Sequence, residues 1–119
     1  MENKWVDELF RAIDSMDIEK FAGFLADNAV FRFGNADAVH GREEIKKSVS
    51  QFFSIIKALS HKITMVWEHN GNVMCHGEVT YTRKDSSKVT LPFANIFYMD
   101  KSLISKYLIY IDIGPLFNP

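Results

Sequence analysis

Residues 104–115, ISKYLIYIDIGP, close a strand-like apolar run with one carboxylate, Asp112, held between Ile111 and Ile113. A carboxylate withdrawn from water without a partner costs several kcal/mol or gives up its charge, so such a group is either paired or employed. Two readings follow: an acid/base group on a pocket wall, or a side chain that ends the strand and caps the turn at Gly114-Pro115. Under the first, strand alternation puts Tyr110 and Leu108 on the face of Asp112. On the preceding strand Asn95 shares a face with Phe93 and Phe97, and one strand earlier His76 and Glu78 share another. Were these faces to adjoin, Asp112 and Glu78 could not both stay ionised in a low-dielectric pocket, and the protonated one could serve as a general acid. His76 would instead pair with either acid and hold it charged. Phe21, Phe24, Phe52 and Trp5 would roof such a cluster. The competing reading turns His76 and Glu78 outward, into solvent or a subunit interface, and leaves Asn95 a buried amide bonded to nearby backbone.

Other chemistry-bearing residues carry less. His40, His61 and His69 stand before a helix, before a strand and beside a hairpin turn, and are read as surface residues. The histidines lack an acidic or cysteine pattern at ligand spacing, so no metal site is expected. Ser60-His61 and Cys75-His76 are chain neighbours whose side chains point to opposite faces of a strand, which argues against a nucleophile and base pair. The six glycines fall singly, without a phosphate loop, nucleophile elbow or dinucleotide fingerprint, so no cofactor is expected. The single cysteine, Cys75, lies in an apolar run and reads as a buried small hydrophobe, in keeping with a reducing, cytoplasmic setting.

Composition bounds the rest. A chain of 119 residues with 47% hydrophobic content predicts one domain spanning 1–119. Fourteen basic residues, scattered among 15 acidic ones, give a net charge of -1 and no footprint for nucleic acid or an anionic membrane surface. The start, MENKWVDELF, carries acids and no long apolar core, and no segment reaches the roughly 18 apolar residues of a membrane span.

The elements that must position these residues are legible in outline. Trp5, Leu9 and Ile13, with Val6 and Phe10 offset, predict an amphipathic helix over 3–14. Asp17 is a good N-cap for a second helix over 18–26, with Phe21, Phe24 and Leu25 as its buried stripe. A short strand over 29–33 precedes Gly41 and a long helix, whose apolar face is Ile45, Val49, Phe52, Phe53 and Ile56. From Lys62 the period becomes alternating. Strands over 63–68 and 73–82 flank Asn70-Gly71, a pair suited to a tight hairpin turn, and strands over 89–99 and 103–112 flank Asp100-Lys101-Ser102. Helices first and antiparallel strands afterwards predict an α+β domain with helices on one sheet face. Both strand faces carry large side chains, so the second face needs a cover, and a second copy of the chain supplies it: a homodimer through the sheet face is expected.

Three segments, AIDSMDIEKFAGFLADNAVFRF, HGREEIKKSVSQFF and LPFANIFYMDKSLISKYLIYIDIGPLF, resemble the SnoaL-like branch of the nuclear transport factor 2-like superfamily over nearly the whole chain. The resemblance implies a cone-shaped, curved antiparallel sheet covered on one face by three helices, a cystatin-like roll, with a deep pocket for a small apolar molecule. It implies a choice between a cofactor-independent isomerase, cyclase, lyase or hydrolase and a non-catalytic ligand-binding or dimerisation module, since one fold hosts many chemistries. In the resembling steroid isomerases, the position matching Asn95 carries a protonated acid that donates to a developing oxyanion, a role Asn95 could take through its amide. The isomerase base is absent where this chain has Phe31-Arg32-Phe33, and its oxyanion tyrosine is absent near Leu9. Against the epoxide hydrolases only Asp112 matches, because Glu78 and Thr80 occupy the arginine and second aspartate positions. In the cyclase branch, a pocket aspartate and histidine are thought to serve as acid and base, and Asp112 is the nearest equivalent.

Overall fold

The computed structural model describes residues 3–119; Met1 and Glu2, the head of the MENKWVDELF stretch and of the predicted domain, lie outside the described residues. The helical spacing of Val6, Leu9, Phe10 and Ile13 gives α1 (Lys4–Asp14), which buries that stripe. Asp17 caps α2 (Ile18–Ala22) by accepting from the Lys20 amide at 3.1 Å. This helix is shorter than the predicted 18–26. The Gly23 amide returns to the Glu19 and Lys20 carbonyls and closes it, and Leu25 already belongs to strand β1 (Leu25–Phe33). After the two-residue strand β2 (Val39–His40), Gly41 turns the chain at φ 91°, a conformation that suits a residue without a Cβ, into α3 (Arg42–Ser54). Ile45, Val49 and Phe53 form its buried face, and Ile56 continues it just past the last turn.

Strands β3 (Ala58–His69), β4 (Asn72–Thr82), β5 (Lys88–Asp100) and β6 (Leu103–Tyr110) form an antiparallel meander. Asn70 and Gly71 both have positive φ, 53° and 82°, as a tight hairpin turn requires. β1 joins β6 in parallel, so the curved, open sheet is mixed, in the order β2-β1-β6-β5-β4-β3. β3 is therefore an edge strand. It carries a bulge between Ile63 and Met65, opposite Gly77, which bends the sheet. The short helix α4 (Gly114–Phe117) is held by Arg83, whose Nε and Nη2 donate to the carbonyls of Leu116 and Pro115 at 2.9 and 2.8 Å. Among the described residues, no helix is long and apolar enough to cross a membrane.

Register decides which side chains meet the helices. Cys75 pairs with Asn95, Gly77 with Phe93, Asn95 with Ile109 and Phe97 with Tyr107, and these pairs form the helix-covered face. The intervening positions, His76, Glu78, Ala94, Ile96, Leu108 and Tyr110, form the outer face.

Candidate functional site

β3 begins five residues before the predicted strand, and its inner phase runs Leu59, His61, Ile63. An edge strand leaves alternate backbone amides without a sheet partner. At His61 that amide is taken by the last residue of α1: Asp14 Oδ2 accepts from His61 N at 2.9 Å. The other oxygen, Oδ1, lies 2.6 Å from His61 Nδ1. One carboxylate thus fixes both the main chain and the ring of the same residue. The side chains of His61 and Asp14 are only 10% and 26% exposed, so the pair is shielded from solvent far more than a surface ion pair. Phe10 and Phe93 hold the ring from two sides, with centroids 4.7 and 5.3 Å away. With Nδ1–H donating to Asp14, the neutral ring keeps its free lone pair on Nε2.

The ring of His61 lies on the wall of a cavity of about 130 Å³ between α1, α2, α3 and the inner sheet face. Apolar rings, among them Phe21, Phe31, Phe53 and Phe93, make most of that wall. Exposed Ala36 and Asp37 stand at its rim, with half-buried Phe33, Val39 and Phe52 beside them. Besides His61 and Asp37, the polar groups that break the apolar lining are Ser48, Asn95, Tyr81 and Tyr107. Asn95 is 2% exposed and its Oδ1 has no hydrogen-bond partner, an unusual state for a buried amide. Burial, with a lesser push from the Asp14 charge, raises the Tyr81 hydroxyl above its ordinary range. Burial also raises the Tyr107 hydroxyl, aided by Cys75, Tyr81 and Asp14. Both phenols are therefore neutral donors. Burial pushes the Cys75 thiol up to about 12, against a smaller opposing contact from the Asn95 backbone, so it is no thiolate nucleophile at neutral pH. Among the described residues, no three His, Cys, Asp or Glu side chains come together as a metal site would need.

The structure divides the residues singled out in the sequence between two faces. Asn95, Phe93, Phe21 and Phe52 line the cavity. Phe97 is fully buried and meets Trp5 edge-on at 5.3 Å, and Phe24 packs half-buried on the core; all three support the site without lining it. Asp112 does not face the cavity. The strand stops at Tyr110, and exposed Asp112 accepts from the Gly114 amide at 3.0 Å through Oδ1, the turn-capping alternative. Tyr110 is 56% exposed, Glu78 is exposed, and His76 and Leu108 are half-buried on the outer face. Leu108 and Tyr110 share the outer face, whereas β6 presents Tyr107 and Ile109 inward and Ile111, just past the strand, also lines the cavity. The expected cluster of His76, Glu78 and Asp112 around Asn95 is therefore not formed.

The profile of the SnoaL-like domain matches residues 6–107. The chain belongs to the SnoaL-like domain family. No curated protein matches it in sequence. Among solved structures, an NTF2-like protein of unknown function from Burkholderia pseudomallei is similar at TM-score 0.89 and 15% identity, covering 99% of this chain and 97% of that one. An LEH-like epoxide hydrolase from M. tuberculosis is similar at TM-score 0.79 and 15% identity, covering 95% of this chain and 84% of that one. A protein of ketosteroid isomerase-like fold from Catenulispora acidiphila, in complex with trimethylamine, is similar at TM-score 0.84 and 14% identity, covering 92% and 86%. These likenesses establish the shared fold.

In this SnoaL-like domain His61, read from the sequence as a surface residue, is instead largely buried on the cavity wall, and its partner Asp14 is not singled out by the sequence. A signal for His61 was present: Leu59, His61 and Ile63 alternate with Ser60 and Lys62, which extends the strand upstream and turns the histidine inward. Nothing local marks Asp14, because its partner lies 47 positions away.

Proposed function

We propose that the chain is a small-molecule pocket protein that performs cofactor-independent general acid/base chemistry, with His61 as the proton carrier and Asp14 as the residue that orients it. The observation that carries this reading is the 2.6 Å contact between Asp14 Oδ1 and His61 Nδ1 on the wall of an apolar cavity. A carboxylate behind a histidine fixes the tautomer and stabilises the imidazolium that forms when Nε2 takes a proton. Asn95, Tyr81 and Tyr107 orient the oxygen of the bound molecule. A fold relative named as an epoxide hydrolase and another of ketosteroid isomerase-like fold are compatible with proton transfer at carbon or oxygen, and Asp112 has no part in it.

The test is deuterium incorporation from D2O into a panel of monocyclic ketones and hydroxyketones, followed by mass spectrometry. The wild-type chain is expected to label at least one member, and His61→Gln to label it about 100-fold to 10,000-fold more slowly. Labelling by the variant at the wild-type rate would remove His61 from the mechanism. A wild-type chain that binds panel members and labels none is a binding module of the same fold.

A homodimer through the outer sheet face is part of the proposal, as is a cytoplasmic location suited to one buried thiol. Met65, Trp67, Tyr98 and Tyr110 are 53%, 42%, 39% and 56% exposed on or beside that face, more large apolar surface than a lone monomer usually leaves in one place. Trp67→Glu is expected to turn a dimer into a monomer in sedimentation velocity. A monomeric wild type at tens of micromolar contradicts the dimer.

A further inference from the structure

The orphaned atom belongs to a cavity-lining residue and is an acceptor, and this restricts what the cavity takes. Asn95 Oδ1 lies on the helix-covered face of β5 with no partner, in a residue that is 2% exposed and lines the void. Leaving a buried carbonyl oxygen unbonded costs about 1–3 kcal/mol, a penalty that a ligand donor can relieve. Of the other polar residues on the wall, His61 has its Nδ1 committed to Asp14, while the hydroxyls of Ser48, Tyr81 and Tyr107 can donate as well as accept. Among the described residues no lysine or arginine lines the wall, so an anionic ligand would find no countercharge there. The volume, about 130 Å³, is close to that of cavities that hold one benzene ring, at roughly 150 Å³. Edge-on and tilted rings such as Phe21, Phe31 and Tyr107 shape the wall for a flat guest.

We infer that the ligand is a neutral molecule with a single ring and a hydroxyl group, and that this hydroxyl donates to Asn95 Oδ1. The inference deepens the ligand-site reading above and rests on it, but it requires no turnover. It reverses the expected role of Asn95: the amide accepts from the ligand instead of donating to an oxyanion.

The experiment is an NMR titration of the full chain with phenol, benzene and 2-naphthol, on the wild type and Asn95→Leu. Leucine has a similar volume and removes a buried unpaired polar group, so this variant is expected to fold. Wild type is expected to bind phenol about tenfold more tightly than benzene, the effect of one net hydrogen bond. In Asn95→Leu that preference should vanish or invert. 2-Naphthol should bind at least tenfold more weakly than phenol, because a second ring exceeds the volume. Equal wild-type affinity for phenol and benzene overturns the hydroxyl assignment, as does a phenol preference that survives in Asn95→Leu. Binding of 2-naphthol as tight as that of phenol overturns the single ring. If none of the three shifts a resonance of the cavity wall, the ligand-site reading fails and takes the inference with it.

Discussion

Gly77→Ala is expected to lower stability by about 3 kcal/mol or more and the melting temperature by roughly 10 °C or more. Gly77 faces the bulge of β3, pairing with Ile63 while His76 pairs with Met65. A Cβ built at Gly77 would overlap the Lys62 carbonyl oxygen and stand 2.9 Å from the Lys62 carbonyl carbon and 3.0 Å from Ile63 Cα. All three obstacles are backbone atoms, so no side-chain rotation can relieve the clash. Relief requires β3 to move away from β4, and the ladder hydrogen bonds at the bulge would be lost with that movement. The damage reaches the site. His61 lies two residues before Ile63 on the same inner phase, and Phe93, which pairs with Gly77, holds the imidazole edge-on. Urea unfolding with near-UV circular dichroism checks the prediction, and a variant as stable as the wild type would show that the bulge yields.

Asp14→Ala is expected to reduce both stability and labelling. The substitution leaves two donors, the His61 amide and Nδ1–H, without the acceptor they share. At about 1–3 kcal/mol for each unsatisfied buried donor, and with water reaching part of a side chain that is 26% exposed, a loss of about 2 kcal/mol is expected. Labelling should fall at least about 100-fold, since an unanchored imidazole samples both tautomers and leaves its productive orientation. Asp14→Asn separates the two effects. Its carbonyl can still take one donor, so more of the stability should return than of the rate. Chemical unfolding and the D2O assay measure the two, and an Asp14→Asn chain with the wild-type rate would show that the charge behind His61 is idle.

Local chemistry made much of the fold legible. The Asp17 cap, the apolar face of α3 and the Asn70-Gly71 turn each depend on residues a few positions apart, and each stands as read. Strand phase was harder. In β6 both alternating sets are apolar, Leu108 and Tyr110 on one face and Tyr107 and Ile109 on the other, so periodicity cannot say which set meets the helices. Alternation counted back from Asp112 selects Leu108 and Tyr110, the set that lies on the outer face. In β5 the set of Phe93, Asn95 and Phe97 is the one that meets the helices, although Ile96 and Tyr98 make the opposite set apolar too. The dyad was hidden for a different reason. Asp14 ends a helix and His61 sits near the start of a strand, and only the docking of α1 along the open edge of β3 brings them together.

The most direct measurement of the central claim is the ¹⁵N and ¹H spectrum of the His61 ring, recorded at a pH where the ring is neutral and again with phenol added. The account predicts a proton on Nδ1, a bare Nε2 that shifts when the cavity fills, and loss of this tautomer preference in Asp14→Asn. A neutral ring protonated on Nε2, or one whose nitrogens ignore both the ligand and the loss of the Asp14 charge, would contradict it.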